Sequence, residues 1–302
     1  MKAAVIINGT LDGRTAATVE AQLRRYLPDW TLEIVYTAYR GHAVYLARRA
    51  AKGGADVVVV AGGDGTVSEA LNGLIGLSAL LAIVPCGTAN DLACQLGIPD
   101  DCERACALIG DGCTRTIDVL CVNGWHYLTV GGLGAPTGTI RVATAMKRLV
   151  GRSARMRRLA GSVIYVAAYL IAVVHRHCPI LTAGERVFSL TLANQPVLGR
   201  RFCISPGASN DDGLMDLCLI ADPGNALGAF MVGVRTAQGR HTMHRGVTTR
   251  RVDRLTIRTL APVRYFADGE LFGPEREFLF AVAPRAVTVI VPSAGKESYC
   301  GC

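Results

Sequence analysis

Two glycine-rich stretches each follow an apolar run, and both carry residue types suited to phosphate chemistry. Gly62-Gly63-Asp64-Gly65-Thr66 comes directly after DVVVVA at 56–61, and Pro85-Cys86-Gly87-Thr88-Ala89-Asn90-Asp91 closes LLAIVP at 80–85. Without a Cβ, glycine lets backbone N–H groups approach a phosphate, and a following helix start adds partial positive charge. A carboxylate repels an anion, so Asp64 suits Mg²⁺ binding or the organisation of a polar network. Asn90 or Asp91 would serve equally well as a helix cap. No GxxxxGK[ST] occurs, which excludes a P-loop. Gly131-Gly132-Leu133-Gly134 reads as a tight turn between domains. On residue types alone, Ser209-Asn210-Asp211-Asp212-Gly213-Leu214 and Ala267-Asp268-Gly269-Glu270 read as Asp-Gly turns.

The elements that would hold these turns alternate through the first third of the chain. Strands are expected at Ala3–Ile7, Thr31–Tyr36, Asp56–Ala61 and Leu80–Pro85. Helices are expected at Thr15–Leu27, His42–Lys52, Val67–Ile75 and from about Asn90. Continuous apolar strands separated by helices predict a parallel sheet covered on both faces, with ligands at the carboxyl ends of its strands. After about Asn123 a basic helical stretch and an apolar helix lead into short alternating runs. These are Val187–Ala193, Phe202–Ser205, Leu214–Ile220, Leu255–Thr259, Val263–Ala267, Glu277–Ala283 and Ala286–Val291, a spacing that predicts an antiparallel sandwich. The organisation expected is an α/β nucleotide-binding domain over 1–124 and a β-sandwich, acceptor-binding domain over 125–302. The last strand is free to return to the first domain.

The 302 residues carry a formal charge of +8, mostly from arginine. That excess favours anionic partners without choosing among them. No acidic residue occurs from Val119 to Gly184. Within that stretch Arg141, Lys147, Arg148, Arg152, Arg155, Arg157 and Arg158 alternate with apolar residues, and a second basic patch runs from Arg235 to Arg258. Either would hold a protein on anionic lipid or simply face water. Sparse aromatic interleaving and the lack of a reader motif argue against nucleic acid. The first apolar run is too short for a signal region, and Leu159–Val174 falls short of the ~18 residues of a spanning helix. The eleven scattered cysteines form no zinc module and read as small buried thiols in a reducing cytosol, except the terminal Cys300-Gly301-Cys302, expected to be exposed and open to oxidation.

GGDGTVSEALNGL at 62–74 and IVPCGTANDLACQLGIP at 83–99 occur in order with Thr37…Gly41-His42-Ala43, Ile117-Asp118, SNDDGLMDL at 209–217 and Ala267-Asp268-Gly269-Glu270. This ordered set resembles the diacylglycerol kinase catalytic family, which includes bacterial lipid kinases and is related to sphingosine and ceramide kinases. GGDGT alone is shared with NAD kinases and phosphofructokinase-like proteins.

The resemblance implies ATP contacts at Asn8, Thr37, the turn from Gly62 through Gly63, Asp64, Gly65, Thr66, Val67 and Ser68 to Glu69, and at Gly87, Thr88 and Asn90. It implies a general base at Glu270 beside Asp268, and a divalent-metal site from the Asp212 carboxylate and the Ser209 and Leu214 carbonyls. It also implies an acidic network of Asp64, Asp91 and Asp118. Two departures stand out: Gly9 replaces a usual proline after Asn8, and Leu198-Gly199-Arg200-Arg201-Phe202 replaces a run of glycines. The arginines would favour an anionic headgroup or be solvated.

The function expected is that of an ATP- and Mg²⁺-dependent lipid kinase acting on a diacylglycerol-like hydroxyl. It would be cytoplasmic and peripherally bound to membrane through its basic segments, with a homodimer left open. Rival readings are a kinase of a sphingoid base or soluble metabolite, and a nucleotide-responsive binding protein without turnover.

Overall fold

The computed structural model describes residues 1–149, 164, 166–174, 184–198 and 202–293. Arg152, Arg155, Arg157, Arg158, Arg200, Arg201, Cys300, Cys302 and the side chains of Lys147 and Arg148 lie outside that description. Two compact units are present, one of Met1–Val119 with the chain from Ala283 onward, the other of Leu120–Val282.

The first unit is wound as β1 (Lys2–Ile7), α1 (Gly13–Tyr26), β2 (Thr31–Tyr36), α2 (His42–Lys52), β3 (Val57–Gly62), α3 (Asp64–Leu74), β4 (Leu80–Pro85), α4 (Asp91–Gln95), α5 (Cys102–Asp111) and most of β5 (Cys113–Val122). Its four parallel strands lie in the order β2-β1-β3-β4. Val57 to Val60 have no exposed surface, as expected for a central parallel strand covered on both faces. Asp12 and Asp101 cap α1 and α5, accepting N–H groups from Thr15 and Arg104 at 2.9 Å. Helix α3 begins three residues before the position expected from apolar spacing. The glycine-rich turn is itself the first helical turn, with the Thr66 and Val67 N–H groups both donating to the Gly63 carbonyl.

The second unit continues with β6 (Trp125–Tyr127), β7 (Val130–Gly134), α6 (Ala135–Leu149), a helix α7 at 166–174, β8 (Val187–Ala193), β9 (Val197–Leu198), β10 (Phe202–Cys203) and β11 (Met215–Ala221). After these come α8 (Ala226–Ala237), a 3-10 turn at His241–Met243, β12 (Val247–Val252), β13 (Arg254–Ala267) and β14 (Glu270–Val291). Strands β12-β11-β8-β7-β13-β14 pair antiparallel in that order. Where two short strands were expected at Leu255–Thr259 and Val263–Ala267, one strand carries register shifts between Arg258 and Val263 and between Arg264 and Phe266. Likewise Glu277–Ala283 and Ala286–Val291 are parts of the single β14. Its end leaves this unit and pairs Val289 with Leu81 in the first.

Gly131–Gly134 is a buried strand rather than the expected turn. A Cβ on Gly132 would sit 2.0 Å from the Leu190 carbonyl oxygen, and one on Gly134 would sit 2.4 Å from that of Phe188. These glycines are spent on close approach to β8, which no side chain would allow. In the core of this unit Tyr127, Tyr265, Phe278 and Phe280 are buried together among Leu133, Leu190 and Leu192. Each such side chain contributes about 1.5–3 kcal/mol by burial.

Cys86, Cys102, Cys106, Cys113, Cys121, Cys203 and Cys218 stand outside any disulfide, and Cys113 is exposed where a buried thiol was expected. Cys94 is disulfide-bonded, a departure from the expectation of thiols throughout.

Candidate active site

In the first unit the two glycine-rich turns are one structure. Asp64, the first residue of α3, accepts the N–H of Asp91 on Oδ1 at 2.7 Å and that of Asn90 on Oδ2 at 2.9 Å. Asn90 is left-handed, with φ 51°, and its Oδ1 accepts the Gly87 N–H at 2.9 Å. The loop is thereby closed on itself and hung from Asp64. Gly63 and Gly87 face each other backbone to backbone: a Cβ on Gly87 would lie 2.5 Å from the Gly63 Cα. Burial of the Asp64 carboxylate pushes its pKa up, against the lowering effect of the Asp91 and Asn90 N–H groups.

Asn8 and Thr37 extend this cradle from β1 and β2. Asn8 Nδ2 donates to Thr66 Oγ1 at 2.8 Å, and the Asn8 N–H reaches the Ala61 carbonyl at 2.9 Å. The Gly9 N–H donates to Thr37 Oγ1 at 3.0 Å, and a Cβ on Gly9 would lie 2.1 Å from the Thr37 carbonyl oxygen. A proline here would lose that N–H and meet that oxygen, so the departure at position 9 matches the local geometry.

Other residues of the expected set are turned elsewhere. Val67 and Ser68 are buried within α3, and no hydrogen bond satisfies Ser68 Oγ among the described residues. Glu69 points to the start of α2, accepting the N–H groups of Gly41 at 2.7 Å and Ala43 at 3.3 Å. Gly62 ends β3, while Gly63, Asp64 and Gly65 keep partial exposure and Thr88 is exposed. Asp118 accepts the Arg285 N–H at 2.7 Å.

In the second unit Asp268 and Gly269 form a two-residue hairpin between β13 and β14. Both have positive φ, 48° and 74°, as a type I′ turn requires. The buried Asp268 carboxylate accepts the Leu128 N–H at 3.0 and 3.1 Å, the Thr129 N–H at 2.8 Å and the Thr129 hydroxyl at 2.8 Å. Glu270, half-buried, begins β14 opposite Ala267. Asp268 therefore positions the hairpin that presents Glu270. Residues 128 and 129 carry no polar pattern in the sequence that would have revealed this partnership, because their backbone groups make most of it.

The segment expected to hold a metal is crossed by a cation of the protein's own. Asp212 Oδ1 accepts the Leu214 N–H at 3.0 Å, and Ser209 Oγ donates to Asp211. Arg251 lies opposite Asp216 across β11–β12, with Nη1 3.6 Å from Asp212 Oδ2, Nε 3.5 Å from Asp216 Oδ1 and Nη2 donating to the Gly207 carbonyl at 2.6 Å. Burial raises the Asp216 pKa and Arg251 counteracts it. No group of three His, Cys, Asp or Glu side chains gathers as a metal site among the described residues. The hard oxygens still fit Mg²⁺ chemically, since Asp216 Oδ2 is buried and accepts no hydrogen bond among the described residues. An ion and Arg251 would share the same carboxylates. Asp216 lies in the SNDDGLMDL run without a role assigned to it from sequence, and Arg251 reads there as one more basic residue.

Comparison with known proteins finds a family match in each unit. Residues 2–122 match the family described as diacylglycerol kinase catalytic domain, and 142–291 match the YegS C-terminal NAD kinase beta sandwich-like domain. The chain is 32% identical over 265 residues to a diacylglycerol kinase of Mycobacterium tuberculosis (strain H37Rv), covering 84% of this chain and 82% of that protein. It is 29% identical over 266 residues to a diacylglycerol kinase of Bacillus subtilis (strain 168), covering 86% of each. A YegS-like lipid kinase of Stenotrophomonas maltophilia (strain K279a) is 29% identical over 308 residues, covering 94% and 95%. In fold it is similar to a crystal structure of a diacylglycerol kinase from Bacillus anthracis str. Sterne, with TM-score 0.71, 22% identity and 97% of each chain covered.

Proposed function

Because this chain belongs to the diacylglycerol kinase catalytic-domain family, we propose that it is a lipid kinase, transferring the γ-phosphate of MgATP to a hydroxyl of a membrane-derived, diacylglycerol-like lipid. The observation that carries this reading is the pair of glycine turns locked through Asp64, Asn90 and Asp91. They present backbone at the start of α3 with no side chain in the way, as phosphate binding needs.

Phosphoryl transfer needs little covalent help from a protein beyond positioning and charge. Gly63, Gly65 and Thr88 would take the phosphates, with Asn8 and Thr37 holding the edge of that cradle. Glu270 would accept the proton of the acceptor hydroxyl as the phosphoryl group arrives. Asp268 acts through Glu270 by fixing its hairpin. A divalent cation held by Asp212 and the Ser209 and Leu214 carbonyls would take over from Arg251 part of the charge that already braces the 209–214 turn. The Mg²⁺ that accompanies ATP is part of the substrate.

The reading places the protein in the cytoplasm, in contact with a membrane face. Among the described residues no helix is long and apolar enough to cross a membrane. The test is phosphate transfer from γ-labelled ATP into mixed lipids, comparing wild type with Asp64→Ala. An organic-phase product that disappears in the variant is the expected result. A folded, ATP-binding protein that labels no diacylglycerol, sphingoid or phospholipid acceptor would overturn the lipid assignment and move a soluble acceptor to first place.

A further inference from the structure

Eight of the fourteen exposed large hydrophobic side chains of the described residues fall on α7, α8 and the 3-10 turn that follows α8. Helix α7 exposes Val166, Leu170, Ile171 and Val174, the last at 70%; α8 exposes Leu227 at 70%, with Phe230 and Met231; Met243 stands at 88%. The inner faces of both helices are already used. Val173 of α7 and Ala229 and Val232 of α8 bury against Phe188, Cys218 and Ile220 of the sheet. The two helices also touch, since the Tyr169 hydroxyl donates to the Ala229 carbonyl at 2.6 Å and its ring fills the space a Cβ on Gly233 would need. An ordinary surface helix turns its charged side outward. These two turn large apolar side chains outward instead.

The charge along the segments that carry them is predominantly positive, with Glu185 just outside them and Asp222, before α8, 3.7 Å from the Arg186 guanidinium. No acidic residue occurs from Val119 to Gly184 or from Pro223 to Val252, and Arg235, Arg240 and Arg245 flank the exposed residues of α8 and Met243. A second copy of this chain would bring like charges together across a two-fold contact. An acidic protein would answer the arginines but would need an apolar patch of its own, set among carboxylates, to cover the side chains of both helices. An anionic bilayer answers both, taking apolar side chains below its headgroups and arginines among them.

We propose that the outward faces of α7 and α8, with the Met243 turn, are the surface by which this protein docks on anionic membrane. The inference rests on the lipid-kinase reading for its purpose, and its test does not use the reaction. Wild-type protein is sedimented without nucleotide on vesicles of phosphatidylglycerol and phosphatidylcholine, and on phosphatidylcholine alone. Binding should favour the anionic vesicles and weaken with salt. Replacing Arg240 and Arg245 by Gln should weaken it roughly thirtyfold, at ~1 kcal/mol for each basic residue near the surface. Leu227→Gln with Phe230→Gln should abolish binding to both vesicle types while the melting curve is kept. Val166→Gln with Leu170→Gln is the second variant, on the other helix.

Vesicle binding unchanged in both folded apolar variants would overturn the proposal. So would sedimentation showing that they dissolve a dimer and leave vesicle binding intact. Vesicle binding by a wild type that phosphorylates no lipid would sink the function and leave the docking surface standing. The converse, phosphorylation of dispersed short-chain lipid without vesicle binding, would do the reverse.

Discussion

The carboxylate of Asp64 accepts the backbone N–H of Asp91 at 2.7 Å across 27 residues of chain, so the first glycine turn carries the second. Asp64→Ala leaves the Asn90 and Asp91 N–H groups without that acceptor, at about 1–3 kcal/mol for each that stays buried. The variant should melt earlier and lose ATP binding. Asp64→Asn, which keeps one acceptor oxygen, should fall between. Calorimetric titration with ATP beside a thermal melt would check both.

Gly87→Ala should be worse for nucleotide binding than Gly63→Ala. The added Cβ lies 2.5 Å from the Gly63 Cα and 2.6 Å from Asn90 Oδ1 in the first case, but 3.1 Å from the Gly87 Cα in the second. The Gly63 Cα is backbone and cannot swing aside, and Asn90 Oδ1, though a side-chain end, is held by the Gly87 N–H. Equal ATP affinities for the two variants would mean the turns do not have to touch.

Asp268 and Glu270 should separate by what their loss affects. Asp268→Asn sets an amide against the N–H groups of Leu128 and Thr129, and should cost about 2 kcal/mol or more of stability in denaturant. Glu270→Gln should leave stability nearly intact and reduce kcat about 10²–10⁴-fold, as loss of a general base does. Full turnover in folded Glu270→Gln would remove it as the base.

Arg251 and a divalent cation should act against each other. In wild type the guanidinium already lies 3.6 Å from Asp212 and 3.5 Å from Asp216, so Mg²⁺ or EDTA should move the melting temperature of nucleotide-free protein little. Arg251→Met should melt lower without Mg²⁺ and recover a larger share of the loss when Mg²⁺ is added. A wild type strongly stabilised by Mg²⁺ would show that the ion binds beside the arginine.

His241 should make the second unit acid-sensitive. Burial holds its pKa below 6.5, although its ring nitrogen lies 3.0 Å from the Ile204 carbonyl oxygen, a contact that works the other way. A base whose folded pKa is depressed contributes stability present above its unfolded pKa and lost as pH falls below it. Melting temperature should therefore drop from pH 7.5 to pH 5.5, and His241→Gln should show a smaller drop.

The parallel half was legible because β1, β3 and β4 are continuous apolar runs, β2 has the part-exposed pattern of an edge strand, and each turn has glycine next to it. Thr31–Tyr36, His42–Lys52 and Leu80–Pro85 stand at the limits their patterns indicate. The second unit was harder to read. Gly131–Gly134 has turn composition and strand geometry, because the space its glycines clear belongs to β8, more than fifty residues away in sequence. The type of turn at Asp268-Gly269 was visible; the Leu128 and Thr129 N–H groups that fill the Asp268 carboxylate were not, since every residue has such a group. Arg251 could be counted as charge, but its pairing with Asp212 and Asp216 comes from strand register.

Strand β14 begins in one unit and ends in the other, with Val289 beside Leu81 and the Thr288 hydroxyl 3.0 Å from that of Thr116. During synthesis, the ribosome must therefore finish all of Leu120–Val282 before the last strand of the nucleotide-binding unit exists. A fragment cut at residue 122, where the first family match stops, would leave β4 without that neighbour. A usable fragment has to be rewired, joining 283–293 to 1–119 through a new linker. The second unit, whose chain is continuous, can be excised with two cuts.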